Sequence, residues 1–390
     1  MKIAIVHSFY ASKSPSGENT TVRAQASALD ARGHEVKLIA AHTDIESQSV
    51  LYPLRAALSA SGLGGRSPEA ALSEFNPDIV HVHNLFPNWG LQWVHNWHGP
   101  IVATMHNFRP VCANSLLWRD GHDCRLCLDD GAWSAVKHRC YRESAIATVP
   151  IAYSTRSRGS HNPLLRTTQT VFALNHNAAK IYNEVSDGPK IEVLPNFVRT
   201  SSIEYSDHRT GWLYVGRLTE EKGVGWLLQR WPPNYSLRII GSGPEANNIR
   251  KIIETRQLKN VQLTGQKQPD DVLREISKTR GLIIPSLWSE GIPTVALEAL
   301  SAGTPLLVST DCSAHETLTE GSAGVTFTPS SADQSSVEHL LRIVSSRQTE
   351  MSHAARSLHG KKFSEESWVL AAEAHYLDAI DRYQGASRKD

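Results

Sequence analysis

The sequence predicts an α/β protein with two Rossmann-like, doubly wound domains, each a parallel sheet with helices on both faces. The chain has 390 residues, more than one ordinary hydrophobic core accommodates and enough for two domains. Short apolar, β-branched runs alternate with helical segments, as in parallel α/β layers. A polar stretch at 200–210 separates two such series, so we expect domains at 1–196 and 197–364. A C-terminal helix at 365–390 is expected to pack back on the first domain.

The first series of elements begins with a strand that is expected to be buried on both faces, because Ile3–Val6 is a continuous apolar run. The segment Glu18–Arg32 predicts a helix, and Gly33 supplies its left-handed C-cap. Ser67 and Pro68 predict the start of another helix, as N-cap and first helical residue. Further strands are expected at Val36–Ala40, Ile79–His83, Ile101–Met105, Thr170–Ala173 and Ile191–Leu194.

The second series follows the sequence Pro195-Asn196 and repeats the alternation, with helical stretches between most of its strands. The chain closes with a long helical pattern from about Glu365 to Tyr383. The strands of this series are expected at Trp212–Val215, Leu237–Ile240, Val261–Thr264, Leu282–Ile284, Leu306–Val308 and Gly324–Phe327.

The composition excludes several classes of protein. Forty basic and thirty-nine acidic residues leave a net charge of +1, whereas a dedicated nucleic-acid binder carries a dominant basic face. No run approaches the roughly 18–20 apolar residues that a membrane span needs. The apolar run after Met1 is too short for a signal peptide. We therefore expect a cytoplasmic protein, in which the five cysteines are thiols or metal ligands and not disulfides.

Two cations follow the first strand of the second series. Doubly wound sheets bind ligands at the carboxyl ends of their strands. Arg217 and Lys222 lie in one strand-to-helix loop, where two cations and a helix N-terminus can converge on a phosphate. The alternative is that both are solvated surface charges.

Two glutamates lie after the fourth strand of the second series. Pro293 is expected to be a first helical residue, so Glu290 lies in the preceding loop and Glu298 inside the helix. The amides from Gly291 to Thr294 would form an end that attracts anions. The two carboxylates could then hold hydroxyl-bearing groups on either side of one phosphate. The alternative is an unrelated loop glutamate and a glutamate on a helix face, although the apolar neighbours of Glu298 disfavour a solvated face.

These motifs resemble a known family. Glu290 and Glu298, preceded by Pro-Ser and continuing as Glu-Gly-x-Pro, resemble the signature of family-4 retaining glycosyltransferases of GT-B fold, also called group 1 glycosyltransferases. Gly-Arg-Leu-x-x-x-Lys-Gly at 216–223, Gly-Ser-Gly-Pro at 241–244 and Leu-Pro-Asn-Phe at 194–197 occur in the same order as in that family. The resemblance covers essentially the whole second domain. It implies two domains facing across a cleft, with a nucleotide sugar on the second and the acceptor on the first.

The resemblance also implies roles for the matching residues. Arg217 and Lys222 would neutralise the diphosphate of the donor. Glu298 would bind the ribose hydroxyls, and Glu290 would contact the transferred sugar. The donor pocket would be completed by Gly241, Gly243, Gly291, Ile292, Pro293 and Thr294.

The chain has no Asp-x-Asp motif, through which many other glycosyltransferases hold a divalent ion. Fixed cations and amides can stabilise the charge that builds on a leaving phosphate. We therefore expect transfer without a metal ion or any other catalytic cofactor. A covalent intermediate on Glu290 would resemble the paired-carboxylate glycosidases, whereas the family resemblance points to same-face attack assisted by the departing phosphate.

The first domain holds fewer chemical signals. Gly17 precedes the first helix and, by the resemblance, could bring backbone amides close to the donor phosphate, although Ser16 replaces the first glycine of the usual pair. His106 ends a strand and corresponds to a histidine that contacts the transferred sugar in the family. His81 and His83 are weaker candidates, and one of them is expected to be only a strand residue that packs against its neighbours.

Four cysteines occur as C-x11-C-x2-C-x12-C within an insertion at about 108–142, and this insertion resembles transferases of bacterial surface-polysaccharide assembly. The central spacing suits zinc, and the outer two cysteines could complete a structural four-thiolate site. His122 or His138 could replace one ligand, and the alternative is four unconnected thiols. The expected ligands are Cys112, Cys124, Cys127 and Cys140.

From Lys137 to Arg166 the chain carries six basic residues and one acid, Glu143. One interpretation is peripheral contact with anionic lipid, or with a lipid-diphosphate acceptor, at the inner face of the membrane. The other is an ordinary solvated basic face.

Two other functions compete with glycosyl transfer. Gly241-Ser242-Gly243 begins a formal match to the nicotinamide-cofactor fingerprint G-x-G-x-x-A, but the next strand ends in Gly265-Gln266 without the carboxylate that binds an adenosine ribose. A non-catalytic sugar-nucleotide sensor or zinc-bearing scaffold would keep the fold and lose the chemistry residues, which are all present. We therefore expect a retaining enzyme that moves a hexose from a nucleotide sugar to a carbohydrate or lipid-linked hydroxyl.

Overall fold

A computed structural model describes residues 1–10, 17–200 and 208–387. The chain divides into two compact units. The first unit contains Met1–Leu117, Cys124–Pro195 and Trp368–Asp390. The second unit contains Trp118–Asp123 and Asn196–Ser367.

The first unit is built on a six-stranded parallel sheet with the order β2-β1-β3-β4-β7-β8. The strands are almost completely buried in its centre, because apolar side chains project from both faces into helical layers. The strands are β1 (Lys2–Phe9), β2 (Glu35–His42), β3 (Ile79–Val82), β4 (Ile101–Met105), β7 (Thr170–Ala173) and β8 (Lys190–Val193), and a short hairpin assigned to the second unit contains β5 (Trp118–Arg119) and β6 (His122–Asp123).

The helices of the first unit include several single turns beside the longer crossover helices. Gly33, with a φ of 97°, follows the first helix in the left-handed region, as its position after Glu18–Arg32 predicted. The helices are α1 (Gly17–Ala31), α2 (Thr43–Glu46), α3 (Tyr52–Ser61), α4 (Glu69–Phe75), α5 (Trp93–Asn96), α6 (Leu126–Asp129), α7 (Ser134–Lys137), α8 (Ala145–Ser154) and α9 (His176–Val185).

The second unit repeats the architecture with the strand order β11-β10-β9-β12-β13-β14, all parallel. Its strands are β9 (Trp212–Val215), β10 (Leu237–Ile240), β11 (Val261–Gly265), β12 (Gly281–Ile284), β13 (Leu306–Ser309) and β14 (Gly324–Phe327). Its helices are α10 (Val224–Arg230), α11 (Ala246–Thr255), α12 (Pro269–Lys278), α13 (Thr294–Ser301), α14 (His315–Thr319), α15 (Gln334–Ser346) and α16 (Gln348–Leu358).

Neighbouring residues of β9 show why both faces of this sheet are covered. Leu213 belongs to one apolar cluster, with Leu297 of α13. Trp212 and Tyr214 belong to a separate cluster, with Leu227 of α10. Alternation along a strand therefore supplies two cores, one under each helical layer. The predicted α/β class with two doubly wound domains is confirmed.

The last helix, α17 (Glu365–Ser387), belongs mostly to the first unit, so the prediction that it packs back there is confirmed. The hydroxyl of Tyr376 lies 2.7 Å from Nδ1 of His81 in β3. Arg382 donates a hydrogen bond of 2.6 Å to Thr170 in β7. The aromatic and basic side chains of α17 thus bind the sheet of the first unit.

Two predicted helix starts are wrong by one residue. Pro293 has extended backbone angles, with ψ 125°, and caps α13 instead of beginning it. A proline fixes only φ, which both helical and extended residues share, so ψ decides the boundary at Pro293. Pro68 also precedes its helix, α4, as the N-cap residue, although its ψ of 0° lies in the helical region.

Candidate active site

The sheet order of the second unit brings three loops together. In this sheet β10 and β11 lie on one side of β9, and β12, β13 and β14 lie on its other side. The order therefore reverses beside β9, and in doubly wound sheets such a switch point leaves a crevice at the carboxyl ends. The loops after β9, β10 and β12 meet here.

Gly223 allows the loop after β9 to contact the loop after β12. Its φ is 69°, and a Cβ at this position would overlap the carbonyl oxygen of Pro285. The amide of Leu287 also donates a 2.8 Å hydrogen bond to the carbonyl of Glu221. These contacts place Lys222 against the segment that carries Glu290.

Lys222 and Glu290 form a buried ion pair. The Nζ of Lys222 donates to Oε2 of Glu290, and the two side chains are 18% and 6% exposed. The hydroxyl of Ser286 donates to the other carboxylate oxygen, and Ser313 donates to the Glu290 carbonyl at 2.6 Å. The Lys222 ammonium also lies 5.7 Å from the ring centroid of Trp288. The carboxylate is thus held by two donors, as a buried charge requires.

Arg217 lies in the same loop but is mostly exposed. Its guanidinium is 3.7 Å from Oε1 of Glu221, and its side chain is 68% exposed. The hydroxyl of Tyr214 donates a 2.8 Å hydrogen bond to the Arg217 carbonyl, which anchors the backbone. The loop therefore presents one cation to solvent and holds a second cation in the interior.

Gly241 and Gly243 allow close backbone approach beside the same loop. A Cβ at Gly241 would overlap the Gly216 carbonyl, and one at Gly243 would overlap the Leu218 carbonyl. The amide of Leu218 donates to the Ser242 carbonyl at 2.9 Å. Both glycines thus let the loop after β10 pack directly against the loop that carries Arg217.

Residues 291–293 lead into α13, and residues 294–298 form the first part of that helix. Ile292 is buried, whereas Gly291, Pro293 and Thr294 are half-buried. Glu298 is half-buried, and burial raises the pKa of its carboxyl group. Among the described residues its side chain has no hydrogen-bond or ion-pair partner. The structure brings Lys222 and Glu290 into contact, and it places Glu298 on the helix that follows them without linking it to either.

The first unit has a second cluster of functional side chains at the carboxyl ends of β3 and β4. Nδ1 of His83 lies 2.9 Å from Nε2 of His106, and the two rings stack at 5.2 Å. One nitrogen of this pair carries the shared proton, since a neutral imidazole is both donor and acceptor. His81 contacts the hydroxyls of Tyr376 and Thr104, each at 2.7 Å. The prediction that one of the two weaker histidines only packs inside the fold fits His81, whereas His83 touches the candidate residue.

Burial keeps these histidines neutral. It lowers the pKa of His81 and of His106 to about 3, and it lowers the pKa of His83 well below 6.5. His7 of β1, whose ring lies 6.2 Å from that of His83, has its pKa lowered to about 4 by the same cause. A charged imidazole would lose hydration that no carboxylate replaces. The cluster can therefore exchange hydrogen bonds with a hydroxyl and does not act as a positive charge at neutral pH.

A pocket surrounds His106 within the first unit. Its polar lining includes His83, Asn84, Thr104, His106, Asn107 and Arg109, and its apolar lining includes Phe86, Trp89, Leu91 and Met105. Among the described residues, Nε2 of His83 has no hydrogen-bond partner. Apolar walls with a few convergent polar groups are typical of ligand pockets.

Glu18 lies beside this pocket, on the first turn of α1. Burial raises the pKa of its carboxyl group to about 7, and Asn84 and Arg109 act in the opposite direction. Its Oε1 has no partner in the described part of the chain. Gly17 is exposed at the start of α1, and the predicted turn at 14–16 lies outside the described residues.

The structure does not support the expected zinc site. In the described ranges, no group of three or more His, Cys, Asp or Glu side chains is arranged to hold a metal ion. The thiol of Cys112 donates to Asn114 at 2.9 Å, and Cys127 packs in an apolar cluster with Ala113 and Ile151. Cys112 and Cys127 act as small apolar side chains, and none of the four expected ligands forms a disulfide in the described part of the chain.

Ser286, Trp288 and Glu18 are site residues that the sequence did not single out as such, and His83 was only a weaker candidate. Ser286 lies in the Pro-Ser motif, so its position after a strand was an available signal. His83 also ends its strand, but its contact with His106 depends on β3 lying beside β4, which the sequence pattern does not specify.

Comparisons with known proteins agree with this architecture. Residues 15–202 match the family described as Glycosyltransferase Family 4, and residues 206–358 match the family described as Glycosyl transferases group 1. Anabaena HepE, solved in complex with UDP and glucose, superposes with a TM-score of 0.62 at 13% identity over 97% of this chain and 100% of that one. That likeness shows the GT-B fold.

Two relatives complete the comparison. An uncharacterized glycosyltransferase of Methanocaldococcus jannaschii is 25% identical over 53% of this chain and 56% of its own length. The glycogen synthase of Mycobacterium tuberculosis is 30% identical over 77% of this chain and 68% of its own length. The alignments thus span about half to two thirds of these relatives. The chain has the GT-B fold and belongs to the group 1 and family 4 glycosyltransferases.

Proposed function

We propose that this chain is a retaining glycosyltransferase that moves a hexose from a nucleotide-diphosphate sugar to an acceptor hydroxyl without a metal ion. The buried Lys222–Glu290 pair at the switch point of the second sheet carries the proposal. Lys222 is held there in the same loop as Arg217, and it can stabilise a diphosphate as the bond between the diphosphate and the sugar breaks. The UDP and glucose bound to Anabaena HepE, which has the same fold, support a nucleotide sugar as donor.

Each site residue has a proposed role. Arg217 and Lys222 bind the diphosphate, Glu290 contacts the transferred sugar, and the half-buried Glu298 binds the ribose hydroxyls. The donor pocket is completed by Gly17, Gly241, Gly243, Gly291, Ile292, Pro293 and Thr294. In the first part of the chain, residues 1–196, His106 offers a neutral imidazole to a sugar or acceptor hydroxyl. Residues 197–364 bind the donor.

The proposed chemistry is same-face substitution. The bond between the anomeric carbon and the phosphate oxygen breaks, and its electron pair stays on the diphosphate. The acceptor oxygen bonds to that carbon on the same face and passes its proton to a departing phosphate oxygen. Both oxygens of Glu290 accept hydrogen bonds, from Lys222 and Ser286, which supports a binding role over covalent attack.

The acceptor is proposed to be a carbohydrate or a lipid-linked carbohydrate in bacterial polysaccharide or glycoconjugate assembly. Neutral histidines and apolar walls in the His106 pocket suit hydroxyl groups on an otherwise weakly polar ligand. In the described ranges no helix is both long and apolar enough to cross a bilayer. The basic residues between Lys137 and Arg166 support peripheral contact of a cytoplasmic protein with anionic lipid.

The test begins with thermal unfolding in the presence of UDP-, GDP- and ADP-sugars. A bound donor at 100 times its dissociation constant adds about 2.7 kcal/mol of stability. We expect Glu298→Ala to weaken donor binding by about tenfold, the loss of one hydrogen bond to a charged group. We expect Glu290→Ala chiefly to lower turnover.

Glu254→Ala, on an exposed position of α11, is the matched control and should change neither donor binding nor turnover. Equal, negligible effects of Glu290→Ala and Glu298→Ala would contradict the assigned roles. Donor binding without turnover across a broad range of acceptors would support a sensor instead.

A further inference from the structure

Exposed apolar side chains are concentrated in one region of the first unit. Twelve large hydrophobic residues are exposed in the described chain, and all lie in the first unit. Nine of them fall within 45–63 and 133–149. Scattered exposed apolar residues need no explanation, but a concentration of this kind marks an interaction surface.

Helix α3 carries the first part of this surface. Leu51, Leu54 and Leu58 are 58%, 62% and 41% exposed. Their spacing of three and four residues places them on one side of the helix. Val50, just before this helix, is 94% exposed. An isolated soluble domain would carry polar residues on such a stripe.

Helix α8 carries the second part and packs against α3. Ile146 is 85% exposed and Val149 is 41% exposed, one helical turn apart. Trp133, just before α7, is 57% exposed, and α7 packs against α8. We call the exposed apolar residues of 50–58 and 133–149 the apolar surface.

Basic residues accompany the apolar surface. Arg55 is exposed on α3, and Lys137, Arg139 and Arg142 are exposed on and after α7. Within 45–63 and 133–149 the acidic residues are Glu46 and Glu143, and Glu46 forms an ion pair with Arg66. Apolar side chains and a tryptophan beside cations are typical of proteins that lie in the interface of an anionic bilayer.

The same two helices line the His106 pocket. Ser59 and Ala60 of α3 and Ile151 and Ser154 of α8 contribute to its wall. A bilayer bound to α3 and α8 would therefore contact two of the helices that line this pocket. A second copy fits less well, because a symmetric contact would bring the same cations together.

We propose that α3 and α8 form a docking surface for an anionic bilayer, with Leu54, Leu58 and Ile146 inserted among the lipids and Arg55, Arg139 and Arg142 at the headgroups. This proposal deepens the proposed peripheral membrane contact and rests on it. It adds apolar insertion to charge attraction and assigns the insertion to two helices.

The experiment measures binding of the full chain to phosphatidylcholine vesicles with and without phosphatidylglycerol. We expect binding only where phosphatidylglycerol is present, and weakening by salt. Leu54→Ser with Ile146→Ser should lower the partition coefficient at least about tenfold, because two apolar side chains lose their burial. Leu370→Ser with Leu377→Ser is the matched control, since these leucines are 49% and 54% exposed on α17.

A second pair of variants tests the charges. Arg139→Gln with Arg142→Gln should lower the partition coefficient about fivefold per charge, whereas Arg250→Gln with Lys251→Gln on α11 should not. All substituted residues are exposed, so each variant should keep the unfolding temperature of the unmodified protein.

Three results would overturn the proposal: equal binding to neutral vesicles, no loss in either pair of variants, or a concentration-dependent dimer that the Leu54–Ile146 variant abolishes. Stabilisation by UDP-, GDP- and ADP-sugars is measured on the same samples. If no sugar nucleotide binds while vesicle binding holds, the proposed function fails and the docking surface stands; the reverse pattern rejects the docking surface alone.

Discussion

The two parallel sheets differ in the charge of the side chains at their carboxyl ends. In the second unit a lysine and a glutamate pair in the interior beside an exposed arginine. In the first unit the carboxyl ends of β3 and β4 hold two stacked histidines, His83 and His106, that burial keeps uncharged. One topology therefore supports two electrostatic environments, which are set by a few residues after each strand.

The difference follows the charge of the proposed ligands. A diphosphate gains negative charge as it leaves, so its site benefits from fixed cations. An acceptor hydroxyl is neutral until late in the reaction, so a neutral donor and acceptor such as imidazole suits it. The comparison predicts that removing the partner of a site residue lowers the free energy of unfolding more in the second unit than in the first.

The largest effect is expected for Lys222→Met. Removal of the cation leaves the Glu290 carboxylate buried with one donor fewer, which should lower the free energy of unfolding by about 3–5 kcal/mol. Urea denaturation measures this change. Arg217→Met is the control in the same loop, and it should change stability by no more than about 0.5 kcal/mol because the side chain is exposed.

The double variant Lys222→Met/Glu290→Gln removes the buried negative charge of Glu290 as well as its lysine partner. It should recover part of the free energy of unfolding that Lys222→Met loses. If the double variant is as unstable as the sum of both single variants, the pair is not coupled and the contrast between the units is wrong.

An intermediate effect is expected from pH in the first unit. The folded pKa values of His7, His81, His83 and His106 lie below the unfolded value, so below about pH 6.5 the unfolded state binds protons that the folded state excludes. Stability should therefore fall as pH drops from about 6.5 towards 4, by up to about 1.4 kcal/mol per pH unit for each histidine. Glu18, whose pKa is raised to about 7, acts in the opposite direction.

Unfolding free energies at a series of pH values test this expectation. His7→Gln with His81→Gln should flatten the fall, whereas His138→Gln, at an exposed position, should leave it unchanged. A fall of the same steepness in the His7–His81 variant would show that other groups cause it.

The smallest effect is expected for His83→Gln. The neutral hydrogen bond to His106 should contribute about 1 kcal/mol to stability. Urea denaturation should place this loss well below that of Lys222→Met. Equal losses from the two substitutions would remove the proposed contrast between a charged and a neutral site.

Much of the fold was predictable from local patterns. Apolar runs such as Ile3–Val6 and Thr170–Ala173 lie in buried strands, because a strand covered on both faces has no polar side. The helix start at Pro293 was wrong because ψ depends on tertiary contacts. The short hairpin Trp118–Asp123 joins the second unit, which no local pattern indicated.

The candidate site was predictable where it follows a strand and a motif, and less so where it depends on contacts across the sheet. Arg217, Lys222 and Glu290 follow strands, and the structure brings two of them into contact. The partner of His106 was not predictable, since it required the neighbour relation of β3 and β4. The four-cysteine spacing favoured zinc, but in the described ranges no three of these side chains are arranged to hold a metal ion.

The position of α17 has a consequence for how the protein is made. Tyr376 and Arg382 contact the sheet of the first unit, yet they follow residues 208–367 of the second unit in the chain and are synthesised after them. Domains generally fold in order during synthesis, but here the unit that begins first is completed only after the second unit has been made. A premature stop shortly before residue 376 would thus leave the earliest-made half unfinished while sparing the strands of the later one.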